Sequence, residues 1–381
     1  MRPDTLSFDA VNTGAAGAPL EPPRVSVCMG SSFELLAALW AFLDESHRPV
    51  YEISSDWLRA ATDRLGADAR AVRRVASGSL RFWDHVLGLA IEAGPPFEVD
   101  GLLDLVERID PDQLRLHLLG RYNRPVTSVF SDDRIEAAAS GDAAEQRAFR
   151  RSVFPEEDAW QRAVRHLFRT DPEAIRGELL HTLRLWNERV WLPESGRILP
   201  VLEREDASSR RLAGRLRPME LIDQLTDSMR WAMVARLTDV LLAPSYVSRP
   251  IVFYVEHREQ TLILYPVSDT SVEGDAFGPP ARLVRLAKAL ADDGRLRVLH
   301  ALREREMTVR EIAEHVGVPR TSMFHHILIL RDAGLVRAVP SDRNQTRFEL
   351  RVDAIPDIGE LLEQFLASAP PARLTRLARK G

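Results

Sequence analysis

Thr308-Val-Arg-Glu-Ile-Ala-Glu-His-Val-Gly-Val-Pro-Arg-Thr-Ser-Met-Phe-His-His-Ile-Leu-Ile-Leu-Arg-Asp-Ala-Gly334 is the stretch that decides the fold of the carboxyl-terminal part of this chain. Thr308 followed three residues on by Glu311 is a capping box, so a helix opens there. Ala313 supplies the small residue that lets two helices cross closely, and Gly317 supplies a left-handed turn. Ile312, Val316 and Val318 keep the corner apolar. A second helix begins at Pro319 or Arg320, and Gly334 suits the left-handed cap that ends it. Met323, Ile327 and Leu330, three or four residues apart, face inward. Arg320, Thr321, Ser322, Phe324, His325, Leu328 and Arg331 are left for other faces, where the amino-terminal members can reach base edges in a major groove.

Downstream, Leu335-Val-Arg-Ala-Val and Thr346-Arg-Phe-Glu-Leu read as two strands joined by the polar hairpin Pro340-Ser-Asp-Arg-Asn-Gln345, which makes a wing. Arg343 at its tip is the candidate to enter a minor groove or meet phosphate, and Arg347 the candidate to touch the sugar-phosphate backbone. Upstream, Leu283, Leu286 and Leu290 mark one helix. Leu296, Val298, Leu299 and Leu302 mark another, with Asp292 and Asp293 as its caps.

With the series Asp292-Asp-Gly-Arg-Leu-Arg-Val-Leu and the run His325-His-Ile-Leu-Ile-Leu-Arg-Asp-Ala-Gly-Leu-Val336, these residues resemble the ArsR family of winged-helix repressors. The resemblance covers roughly the last quarter of the chain. It implies a sequence-specific transcriptional regulator whose partner is double-stranded DNA. This sequence departs from the family pattern at Phe324, often a small polar residue, and at Leu328, often a basic one. The family's metal sites are also missing: the helix before the turn carries no Cys and the final helix, Asp357 to Phe365, no His. Twofold pairing through the helices near Leu283 to Leu290 and Ile358 to Phe365 is expected to give a homodimer on an inverted repeat.

The expected fold class is mainly α with small antiparallel β elements (α+β). A helical amino-terminal domain with a small sheet precedes a winged helix-turn-helix. Residues 1–24, rich in Pro, Gly and Ala, read as a disordered lead. Residues 25–267 read as a regulatory domain sensing a small-molecule or protein effector, 268–280 as a linker, 281–368 as the DNA-binding domain and 369–381 as a basic tail. Helical spacing dominates from Phe33 to about Trp231, with one long helix from Pro172 to Trp191 separated from the next by Pro193 and Gly196. Val240-Leu-Leu-Ala-Pro-Ser, Ile251-Val-Phe-Tyr-Val-Glu and Thr261-Leu-Ile-Leu-Tyr-Pro read as a small antiparallel sheet, which the segment near Val25 can join. Ser31-Ser-Phe-Glu-Leu-Leu-Ala and Trp186-Asn-Glu-Arg-Val-Trp resemble a long helical domain found ahead of such winged helices in other bacterial regulators, one with no defined activity.

A net charge of −5 over 381 residues would argue against nucleic acid if it were spread evenly. Residues 281–381 instead hold 18 basic against 13 acidic side chains, net +5, leaving −10 for the rest. All seven Trp and all five Tyr precede the expected linker. They are read as core, with an effector pocket as the alternative. Cys28 is the only cysteine, which excludes a disulfide within the chain and a multi-thiolate metal site. Met1 to Arg24 lacks the basic-then-apolar pattern of a signal peptide, and no apolar run reaches the roughly 20 residues of a membrane helix, so a cytoplasmic protein with no membrane partner is expected.

No cofactor, metal or catalytic residue is expected. Glu178 and His181 form one carboxylate-histidine pair where a bundle metal site needs several. His325 and His326 point about 100° apart on a helix and cannot easily share an ion. Gly30-Ser-Ser lacks the pattern of a nucleophile elbow, and no phosphate-binding glycine loop occurs. Two other readings stay open, an enzyme with a DNA-binding regulatory tail and a winged helix that grips protein.

Overall fold

The structure, a computed structural model, describes residues 23–45, 48, 51–226, 238–272, 281–339, 347–352 and 357–367. Most of the expected lead, the glycine-bearing part of the expected linker and the expected basic tail lie outside these residues. Chain contacts divide the described residues into two compact units, one formed by 23–222 with 238–266, the other including everything from 267 on.

In the first unit β1 (Arg24–Val27) leads into helices α1 (Ser31–Leu43), α2 (Ser55–Leu65), α3 (Ala69–Arg74), α4 (Leu80–Glu92), α5 (Val99–Arg108) and α6 (Pro111–Leu118). Next come α7 (Arg124–Thr127), α8 (Asp132–Ala139), α9 (Ala143–Ser152), α10 (Asp158–Arg169), α11 (Pro172–Trp186), α12 (Leu192–Ala213) and α13 (Pro218–Leu225), the last running past the unit's edge. Strands β2 (Asp239–Ser245), β3 (Phe253–His257) and β4 (Gln260–Pro266) complete it. Helix α1 is buried almost all round and packs on α4, α5 and β2, so it forms the unit's centre. A helix apolar on every side has no solvent face and must be enclosed. Its one carboxylate, Glu34, is enclosed with it and accepts from the Tyr246 and Val247 backbone N–H at 3.0 and 2.8 Å. Of the seven tryptophans, the six that are described are buried, three of them completely, which matches the reading of these residues as core.

Two expectations are corrected here. The sheet is mixed, not antiparallel: its order is β1-β2-β4-β3, β2 runs parallel to both β1 and β4, and only β3 and β4 form an antiparallel hairpin. The central strands β2 and β4 are buried along nearly their whole length, and burial on both faces is the environment of parallel strands. Nor do Pro193 and Gly196 separate two helices. The chain passes from α11 through a π turn at Asn187–Trp191 straight into α12. A widened turn accommodates a proline ring, which would otherwise meet the carbonyl four residues back.

The second unit contains α14 (Ala281–Leu290), α15 (Asp293–Leu302), β5 (Met307–Thr308), α16 (Val309–Val316), α17 (Arg320–Asp332), β6 (Val336–Val339), β7 (Arg347–Leu350) and α18 (Asp357–Ala367). Its three strands are antiparallel in the order β5-β7-β6, with Phe348 opposite both Met307 and Ala338. The core draws on every helix of the trihelical motif, through Val298, Leu302, Ile312, Met323, Ile327 and Leu330. Each such side chain contributes about 1.5–3 kcal/mol by leaving water.

Candidate nucleic-acid interface

The Thr308 hydroxyl accepts the Glu311 backbone N–H at 3.2 Å, and the Glu311 carboxylate accepts the Thr308 N–H at 2.7 Å. Both halves of the capping box are thus made, and the hydrogen bond from the Thr308 backbone is the chief reason the Glu311 carboxyl lies below its ordinary pKa. Helix α16 ends at Gly317 with φ 73° and ψ 32°, the left-handed region where a Cβ is costly. Pro319 then takes extended backbone and α17 begins at Arg320.

Met323, Ile327 and Leu330 are at most 2% exposed, which fixes the rotation of α17. At about 100° per residue, His325 then falls on the far side of the helix and Ser322 on its flank. Both are exposed, and Phe324 beside them is half-buried. Arg320 and Thr321 occupy the first two helical positions, with side chains outside the described atoms. His326 turns the other way: its ring stands 3.7 Å from Asp292, and a Cβ on Gly294 would come within 3.1 Å of it. The two histidines therefore divide, one to the surface and one to the start of α15, where Asp292 also accepts the Arg295 N–H at 2.9 Å. The use of Asp292-Asp-Gly294 as a seat for His326 was missed in the sequence reading, although a glycine beside a helix cap was its visible signal.

Two expected contact residues are placed differently. Arg331 follows Leu330 directly and sits one turn after Ile327, on the shoulder of the buried stripe. Its Nε is shut off from water and burial pulls the guanidinium pKa down to about 10. The residue as a whole is half-buried. Arg347 donates to the Glu306 carbonyl at 2.8 Å and to the Glu311 carboxylate at 3.4 Å, so its guanidinium ties the base of the wing to the start of α16. Arg343, with the whole tip 340–346, lies outside the described residues. Several other arginines are also engaged: Arg297 with Asp293, Arg310 with Glu314, Arg305 with Glu311 and Arg337 with Glu349.

A trihelical core, a left-handed turn before an outward-faced second helix and a strand pair after it define a winged helix-turn-helix. The model of the family described as bacterial regulatory protein, arsR family, matches residues 292–338. The HTH-type transcriptional regulator KmtR of Mycobacterium tuberculosis is 47% identical over 55 residues, 14% of this chain and 42% of its own length. The HTH-type transcriptional regulator CmtR of Mycobacterium bovis is 37% identical over 86 residues, 22% of this chain and 72% of its own. A solved homodimeric winged helix-turn-helix domain, Mb0332 of Mycobacterium bovis, is 30% identical over 23% of this chain and 78% of its own, with a TM-score of 0.18. This chain belongs to the ArsR family of bacterial regulatory proteins, through its second unit. Among the described residues no helix is long and apolar enough to cross a membrane.

Proposed function

We propose that this chain is a DNA-binding transcriptional regulator that reads an inverted repeat as a homodimer in the cytoplasm. The observation that carries the reading is the rotation of α17, whose buried Met323, Ile327 and Leu330 turn Ser322 and His325 outward near the helix start. A helix presented by its amino-terminal residues is the geometry that enters a major groove. Arg320, Thr321 and Ser322 discriminate bases, Phe324 and His325 flank them, and Arg343 meets phosphate or a minor groove. The relatives' names, both of transcriptional regulators, support the same reading, and it assigns the chain no catalytic step.

The dimer is proposed to pair through α14 and α18, which pack on each other within one chain. Helix α18 turns Ile358 and Leu361 to the core and leaves Leu362 and Leu366 44% and 72% exposed, an apolar pair one turn apart. Residues 25–267 are proposed to receive the signal.

Selecting fragments of the source genome on the full chain tests the reading, and a shared motif with twofold symmetry is expected. Arg320→Ala should then cost about 1–3 kcal/mol on that motif, while Arg343→Ala weakens all DNA evenly. Equal losses on every sequence for both variants refute the assignment of roles. A monomer by sizing, with and without DNA, removes the dimer.

A further inference from the structure

Three side chains from distant parts of the first unit meet where α4, α6 and β3 come together: Glu92 at the end of α4, His117 near the end of α6 and His257 at the end of β3. One ligating atom from each lies within 4.8 Å of the others. His257 Nε2 stands 2.9 Å from Glu92 Oε1, His117 Nδ1 stands 3.9 Å from Glu92 Oε2, and the two rings are 5.1 Å apart. Both histidines are almost wholly buried and Glu92 is 21% exposed.

The proton positions are set by backbone. His117 Nε2 lies 2.8 Å from the His85 carbonyl oxygen, which only accepts, so this nitrogen carries the hydrogen and donates it. Nδ1 is then a bare lone pair. It is buried, has no hydrogen-bond partner and faces a carboxylate oxygen, so acceptor confronts acceptor. A buried imidazole lone pair and a carboxylate oxygen that face each other with no hydrogen bond between them leave a place for a cation.

The surroundings suit one. Arg258 donates to Glu92 Oε1 at 2.9 Å and stacks 3.6 Å over Tyr122, fixing the carboxylate through one oxygen and leaving Oε2 toward His117. Gly88 lies one turn before Glu92 on α4. A Cβ there would come 2.5 Å from His257 Nδ1 and 3.2 Å from His117 Nε2, so both rings fit because this position is glycine. A backbone carbonyl orienting a histidine through its other nitrogen is the usual support of a metal ligand.

We infer that Glu92 Oε2, His117 Nδ1 and His257 Nε2 form a binding site for one first-row divalent transition-metal ion of the zinc type. Two neutral imidazoles and one carboxylate are a zinc donor set that leaves a fourth position open. Zinc–ligand bonds of about 2.0–2.1 Å separate tetrahedral ligands by about 3.3 Å, so the rings close inward by about 1 Å or less each. His257 would bind as the neutral tautomer that carries its hydrogen on Nδ1. The site stands whatever the second unit contacts, because its test reads metal alone.

The metal-stripped full chain is titrated with Co²⁺ and then Zn²⁺. One equivalent of Co²⁺ with the visible bands of a four- or five-coordinate ion, displaced by Zn²⁺, is expected. Glu92→Gln and His117→Gln should each weaken binding about 100-fold or more with far-ultraviolet circular dichroism unchanged. X-ray absorption at the zinc edge of the unaltered protein needs no variant, and should show two imidazoles with oxygen. The chain has ten histidines and one cysteine, so adventitious sites are available. No stoichiometric binding, full affinity in both variants, or a sulfur ligand or more than two imidazoles at the edge would each overturn the inference.

Discussion

Glu34 is the sharpest place to test the packing of the first unit. Its carboxylate sits inside α1 and accepts two backbone N–H groups from the loop after β2, both at Oε1. Burial raises its pKa from 4.5 to about 7, against the lowering effect of those hydrogen bonds and of Ser245. A group whose folded pKa exceeds its unfolded value holds protons more tightly when folded. Its stabilisation is therefore whole below the unfolded value near 4.5 and is lost as pH rises to about 7. That rise corresponds to about 3 kcal/mol. Glu34→Gln keeps the Oε1 acceptor and cannot ionise, so the variant should gain about 3 kcal/mol on the parent between pH 4.5 and 8. Urea unfolding followed by tryptophan fluorescence reads mainly this unit, since six of the seven Trp lie within residues 23–222. Asp84, half-buried and raised to about 7 chiefly by desolvation, keeps some of the same slope in the variant. Unfolding curves for parent and variant that move in parallel with pH would show that Glu34 is solvated, and would refute the enclosed α1.

Thr308→Ala removes one half of the capping box and should cost the second unit about 1 kcal/mol, read by amide hydrogen exchange in α16. Because Glu311 is held below its ordinary pKa, its share of the cap is present above the ordinary carboxylate range and lost as acid is added below it. Arg331→Leu should leave the salt dependence of DNA binding unchanged across a titration series, since the guanidinium faces the protein. A slope flattened by about one would return Arg331 to the interface.

The second unit was largely legible in the sequence because its signals are local. A capping box, a left-handed glycine and apolar residues at three and four residue spacings each act within one or two turns, and each is found where the spacing put it. Arg331, one turn beyond Ile327, is half-buried at the edge of the stripe, a placement that a division into inside and outside faces does not express. In the first unit the sheet's members were legible but not their directions. Strand β1 meets β2 from more than 200 residues away, which no local pattern encodes, although the unbroken apolar runs of β2 and β4 did signal burial on both faces. Glu92, His117 and His257 were invisible for the same reason: ligands on two helices and a strand obey no spacing rule until the fold gathers them.

The pairing of arginines bears on how this chain would hold DNA. Arg297, Arg305, Arg310, Arg337 and Arg347 each have an acidic partner within 4 Å, and Arg295 spends its donors on the Lys288 and Ala289 carbonyls. Among the described residues of 281–367, these six arginines are therefore not free positive surface. If binding keeps these pairs and each protomer meets only two or three phosphates, through cations such as Arg320 and Arg343, a dimer neutralises about five and log K should fall with log salt at a slope of about −4 to −5. A slope near −10 would mean that the paired arginines leave their carboxylates for phosphate, with Arg347 letting go of Glu311 and loosening the cap of α16. Hydrogen exchange in α16 with and without DNA separates the two: unchanged or slower exchange keeps the pairs, and faster exchange in the complex breaks them.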